Sequence, residues 1–308
     1  MTDFIVWVFT SIGQAFVNVA YAVTHPASWL AWTGEVGERL TSTEAKESLA
    51  RFIYYGGSKE LFFAVFTLFL ILTVIGIFYR PFMWGILRGI EWFANGLGRI
   101  VAWAGLIMVL QQIMVIFLQG VFRNASIEIG HLGYGFTRDV SWWSEELKLY
   151  NAAIICLSLA YTFIQGGHVR VDLVYSAVRY RTKKAIDMFG ALIFMMPMAV
   201  LMWLYAWYFM WRHMVVPNPN ASGTLDKMLT QSRALRWNLE TTSFSPNGFD
   251  GYFMFKILMV MLAGLIFVQA IAVFYRSYLC FVEGEASEGK YLDKDTLGEG
   301  EEAYEGTH

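Results

Sequence analysis

The sequence predicts an all-α polytopic membrane protein, and three observations predict it. Of 308 residues, 56% are hydrophobic and 17% aromatic, while only 16% are charged, against roughly a quarter in soluble domains. Mean hydropathy is +0.45. Several uncharged runs reach the roughly 20 residues that cross a bilayer core as helix, and charged residues bracket each run. A transmembrane β-barrel would instead show short segments of alternating polarity. Cys156 and Cys280 stand far apart with no Cys-x-x-Cys spacing, which speaks against a disulfide framework or a thiol-exchange centre.

The elements follow in order. Residues 4–23 are apolar and uncharged, and either span or lie in the interface, since Ser11, Gln14 and Asn18 fall on one helical face. The stretch before "AYA" at 20–22 holds Asp3 and no Lys or Arg, so an uncleaved helix is preferred to a signal peptide. Thr41 and Glu44 fit a capping box and Glu47 with Arg51 an i,i+4 pair, which predicts a short polar helix over about 43–53, outside the membrane. Spans are expected over 61–79, 100–122, 149–167, 188–211 and 257–275. Residues 82–98, with Trp84, Arg88 and Glu91, read as a separate amphipathic interfacial helix. Turn-forming residues surround a short possible helix near 224–235, and the acidic, glycine-rich end from 283 on reads as disordered.

Orientation comes from the connector 166–187, "GGHVRVDLVYSAVRYRTKKAID". Residues 167–184 carry five basic side chains (Arg170, Arg179, Arg181, Lys183, Lys184) against one acid, Asp172. Basic residues near span ends are retained on the cytoplasmic side. The connector and the carboxyl terminus are therefore expected inside, with 123–148 and 212–256 on the periplasmic face.

The chemistry is sparse. The five expected span cores hold no Asp, Glu, Lys, Arg or His, the groups that mark ion or proton pathways in hydrocarbon. Their polar groups are amides and hydroxyls, chiefly Gln111, Gln112, Asn151 and Ser158, with Gln119 and Thr162. Such groups hydrogen-bond between helices, within the chain or to a partner subunit. Pro197 is a single candidate kink. The five histidines fall at span edges, in loops or in the tail, so no axial haem ligand and no cofactor is expected. No catalytic constellation, metal-ligand spacing or phosphate loop is visible, and neither enzyme activity nor a nucleic-acid partner is expected.

The stretch "SEELKLYNAAIICLSLAYTFIQGGHVRVDLVY" resembles the small membrane subunit of tripartite ATP-independent periplasmic (TRAP) transporters. Glu145 or Glu146 matches the acidic residue that opens that family's second span. Ala160, Tyr161 and Thr162 match the span end. His168, Arg170, Val171 and Asp172 match its His-x-Arg-Val-Asp signature, and Arg123 resembles the arginine closing the first span. The resemblance covers Arg99 to Arg276. It implies a four-span core over 99–280, preceded by an N-terminal extension, 1–98, with one or two hydrophobic helices, and followed by an acidic tail, 281–308.

The resemblance further implies a non-catalytic scaffold in the bacterial inner membrane. Its partners would be a large permease subunit that carries the solute and cation sites, a periplasmic substrate-binding protein and membrane lipids. Uptake would be cation-driven symport of an organic anion. Asp172 would cap a helix over 173–181, and His168, Arg170 and Asp172 would fix the inter-span turn against the permease. The rival reading, from another class, is the membrane anchor of a respiratory or redox enzyme.

Overall fold

A computed structural model describes residues 2–35, 42–123, 126–131, 134–165, 178–212, 214–216, 219, 222–230, 234–235 and 248–293. The chain is an all-α polytopic membrane protein. Among the described residues, six helices are long and apolar enough to cross a membrane: α1 (Thr2–Thr24), α4 (Lys59–Phe78), α5 (Arg80–Val121), α6 (Val140–Gln165), α7 (Tyr180–Trp211) and α9 (Phe253–Glu283). Among the described residues three shorter helices, α2 (Ala27–Leu30), α3 (Thr43–Gly56) and α8 (Leu225–Thr230), lie between them. Two antiparallel two-stranded ladders were not anticipated. One pairs β1 (Ser126–His131) with β2 (Tyr134–Asp139), and the other pairs β3 (Val215–Val216) with β4 (Ala234–Leu235).

Helix α5 departs most from the sequence reading. Residues 82–98 form no separate interfacial helix. They continue without a break into the apolar run, from Pro81 in the first turn to a π turn at Phe117–Val121. A helix closes its backbone hydrogen bonds internally, so charged side chains at Arg88, Glu91 and Arg99 give it no reason to stop. Pro81 starts it readily, because its missing N–H is unbonded in any first turn. Beyond the π turn, Arg123 takes the left-handed conformation (φ 52°) that ends helices. A second π turn, Ala191–Met195, lies just before Pro197 in α7. Proline cannot donate to the carbonyl four residues back, and the widened turn absorbs that loss.

Three of the packed cores join distant helices of the bundle. In the first, α3 buries Ala45, Leu49, Ala50 and Ile53 against Trp207, Met210 and Trp211 of α7 and Val260 of α9. The short helix expected over about 43–53 runs from Thr43 to Gly56, and its apolar face is among the most buried surfaces of the molecule. Its amino-terminal cap is Ser42, whose hydroxyl accepts from the Ala45 N–H at 3.1 Å, in place of the expected Thr41. The expected pair of Arg51 with Glu47 forms at 3.0 Å. In the second core, Phe69 of α4 and Met83, Trp84 and Leu87 of α5 meet Met196, Ala270, Tyr275 and Leu279. In the third, Ala94 meets Ala160 and Ile164 where α5 and α6 pack. Residues on both sides of position 98 thus share cores.

Helix α1 packs mainly against α4, through a half-buried stripe that includes Ser11, Ala15, Asn18 and Ala22. Small residues at such spacing let helices approach closely. Its outward face, with Phe4, Phe9, Phe16 and Val17, is exposed. Trp7 meets Phe63 edge to face at 5.2 Å, near the Lys59 end of α4. At the other end, the Ala22 carbonyl accepts from the Trp29 indole, which stacks on Phe52 of α3. Both ends of α1 thus contact residues near the α3 end of the molecule.

The acidic end is folded up to Asp293. After α9 the chain turns at Gly284 (φ 88°), makes a 3-10 turn at Glu285–Ser287 and runs back across one end of α5, α6 and α7. The expectation of disorder from residue 281 fails for this strap.

Candidate functional site

The acidic pair of the resemblance lies inside α6, one to two turns past Val140, and the two carboxylates face different neighbours. Adjacent residues on a helix point about 100° apart, so Glu145 and Glu146 cannot share a role. Glu146 turns to α5. Its Oε2 accepts from the Gln111 amide at 3.1 Å, and the same amide nitrogen donates to the Trp143 carbonyl at 3.1 Å. The Tyr150 hydroxyl donates to Glu146 Oε1 at 3.4 Å.

Glu145 turns to the segment leading into α9. Its Oε2 accepts the Phe249 backbone N–H at 2.9 Å. Burial, and after it the negative charge and hydrogen bond of Glu145, holds the Tyr252 phenol above its usual value near 10. Beside it the Trp142 indole donates to Asp250 at 3.0 Å, and Arg138 approaches the same carboxylate at 3.6 Å. The two carboxylates thus latch α6 to α5 on one flank and to the α9 entry on the other.

At the opposite end of the bundle lies a polar cluster that sequence reading missed. Glu91 is 4% exposed and accepts a two-pronged bond from Arg276: Nε to Oε1 at 2.7 Å and Nη2 to Oε2 at 2.5 Å. Next to it the strap docks. Asn95 donates to the Asp293 carbonyl at 2.7 Å, Gln165 donates to the same oxygen at 3.2 Å, and Arg99 forks onto the Asp293 carboxylate with two bonds of 3.0 Å. Lys184 pairs with Glu288 at 2.7 Å, and the Trp84 indole donates to Glu283 at 3.0 Å. Tyr291 sits edge-on to Trp84 with the Arg88 guanidinium 4.9 Å over its ring. The one sequence signal was Glu91 itself, a lone acid on the buried stripe Trp84, Leu87, Ala94. Its partner lies 185 residues away, beyond the reach of local periodicity.

The remaining candidates divide. Gln111 is buried and bonded across helices, as such amides are expected to be. Ser158 bonds only back to the Ile154 carbonyl at 2.6 Å, within its own helix, and Thr162 likewise to Leu159. Gln112, Gln119 and Asn151 are exposed on the bundle surface, as is Arg123. His168, Arg170 and Asp172, with the helix expected over 173–181 up to Ala177, lie outside the described residues. Trp203 and Trp207 donate their indole N–H groups to the Gly56 and Ile53 carbonyls at 2.8 Å each. They satisfy acceptors that the carboxyl end of α3 leaves open.

Among the described residues no group of three or more His, Cys, Asp or Glu is placed to hold a metal ion. A shallow depression of about 600 Å³ on the α7–α9 surface is lined by apolar residues such as Ile193, Phe194, Met198 and Ile266. The chain matches no protein-family model, no curated protein and no solved structure.

Proposed function

We propose that this protein is the non-catalytic small membrane subunit of a TRAP-type solute importer, a scaffold for a larger permease subunit in the bacterial inner membrane. One observation carries the reading beyond the sequence resemblance: several charged side chains on its long helices tie those helices to one another or to the strap. Glu91 holds Arg276, Glu146 holds Gln111, Glu145 holds the α9 entry, and Arg99 holds Asp293. Charge engaged at helix junctions suits a rigid support. A subunit that moves ions would instead direct such groups at a pathway.

In this reading the solute and cation sites belong to the permease, and a periplasmic substrate-binding protein delivers an organic anion to it. The basic connector 166–187 and the carboxyl terminus face the cytoplasm, while 123–148 and 212–256 face the periplasm, as the basic bias dictates. In this reading α1 lies in the interface, five helices span and the amino terminus is periplasmic. His168, Arg170 and Asp172 fix the inter-span turn against the permease.

The test is a tagged pull-down from native membranes in mild detergent, with co-purifying chains identified by mass spectrometry. Stoichiometric recovery of a large polytopic permease is expected. Recovery of haem- or flavin-bearing subunits would move the assignment to a redox membrane anchor. Asp172→Asn is expected to lower assembly or uptake; intact complex with wild-type uptake would remove the motif from this role.

A further inference from the structure

Helices α5 and α6 disagree about where the membrane ends. They pack antiparallel, with Gly98 against Tyr161 and Gly105 against Ile154. That register, to which the bond between Gln111 and Glu146 also belongs, sets Lys148 of α6 beside Gln111 of α5. Lys148 is exposed. Arg123, the next charge on the α5 side, lies roughly 18 Å further along at 1.5 Å per residue. Between those two levels α5 exposes Ile113, Ile116, Phe117, Val121 and Phe122, each 47% to 67% accessible.

Neither placement of a lipid surface suits both helices. A surface at Lys148 leaves these five apolar side chains in water, a contiguous patch of the kind that marks an interaction site. A surface at Arg123 draws Lys148 and the Glu145–Glu146 pair into hydrocarbon, where ionised groups are costly. Snorkelling of the lysine stem moves its charge by only a few ångströms. The same face carries Gln112 and Gln119, which make no hydrogen bond among the described residues, and lipid tails offer them none. The opposite flank of α5 is already covered by Val140 and Trp143.

We infer that the face of α5 from Gln112 to Phe122 is the docking surface for a transmembrane segment of a second, different membrane protein. The occupant covers the apolar side chains and brings hydrogen-bonding side chains to the two amides. A second copy of this chain fits less well, because a two-fold axis along the membrane normal would bring another Lys148 to the same level. The inference rests on the permease reading, since the permease is the membrane partner that reading supplies.

The experiment places the photo-crosslinker p-benzoylphenylalanine at position 117 or 121, and as a control at the exposed α7 positions 194 or 205, in the full chain in native membranes. Adducts from 117 and 121, absent from 194 and 205, with the same permease that co-purifies stoichiometrically with the wild type are the expected result. A Phe117→Asp, Val121→Asp variant should then lose the permease from the pull-down while keeping its own membrane yield. If the permease co-purifies but crosslinks only from 194 or 205, this surface assignment falls and the permease reading stands. Adducts with lipid alone, or with a second copy, also overturn it. No co-purifying permease at all overturns both.

Discussion

Glu91 and Arg276 meet across 185 residues with almost no solvent on the carboxylate. Breaking such a pair from one side strands the other charge, which costs about 3–5 kcal/mol. Glu91→Ala should therefore lower thermal stability in detergent sharply, while the apolar double variant Glu91→Leu, Arg276→Met should recover much of the loss. Trp207 poses a finer question, because its ring fills a core and its N–H caps a carbonyl. Trp207→Phe keeps most of the ring and leaves the Ile53 carbonyl unpaired, an expected loss of about 1–3 kcal/mol read from denaturation midpoints.

Tyr252 gives a pH test at the same scale. Its folded value is raised above the unfolded one by burial and by Glu145, so the protonated phenol is the form the fold favours. The stabilisation is fully present below about 10 and is lost as pH climbs through the raised value. Wild type minus Tyr252→Phe, compared by thermal unfolding across that window, should show the alkaline loss. A difference that does not change with pH would remove the coupling.

The strap is an element whose contribution can be removed whole. It closes over α5, α6, α7 and α9 through Asp293, Lys290 and Glu288. Truncation after Asp293 should leave stability unchanged, and truncation after Gly284 should lower the melting temperature, as both are read from fluorescence. The α5–α6 contact has its own test. A Cβ at Gly98 would fall against the Tyr161 side chain, with no room to accept it. Gly98→Leu should push the two helices apart and expose Cys156 of α6, now half-buried, to maleimide labelling in detergent.

At the scale of the whole molecule, the charges gather at two levels. One level holds Glu91, Arg276, Lys184 and the strap; the other holds Glu145, Asp250 and Arg138. Between them run the apolar lengths of the long helices. Membrane-impermeant labelling of single cysteines in spheroplasts checks the proposed orientation. Position 226 in α8 should label from the periplasm, and position 288 in the strap only after the membrane is opened.

The spans were legible in the sequence because membrane crossing is a local property: an uncharged run of sufficient length must close its own backbone hydrogen bonds as helix. Each of the five runs read as spans coincides with a long helix over all or nearly all of its described length. The short helix after residue 42 and its Glu47–Arg51 pair were legible for the same reason, since i,i+4 neighbours need no tertiary information. Interruptions were harder to read. Arg88, Glu91 and Arg99 looked like a boundary, yet they belong to one unbroken helix, because their charges are met by residues that sequence places far away. Only the tertiary structure decided that Glu91 takes Arg276, that Asp293 closes on Arg99 and Asn95, and that tryptophans of α7 cap α3. A hydrogen bond requires two groups within about 3 Å, and nothing in the periodicity of one segment says which distant segment will bring its partner that near.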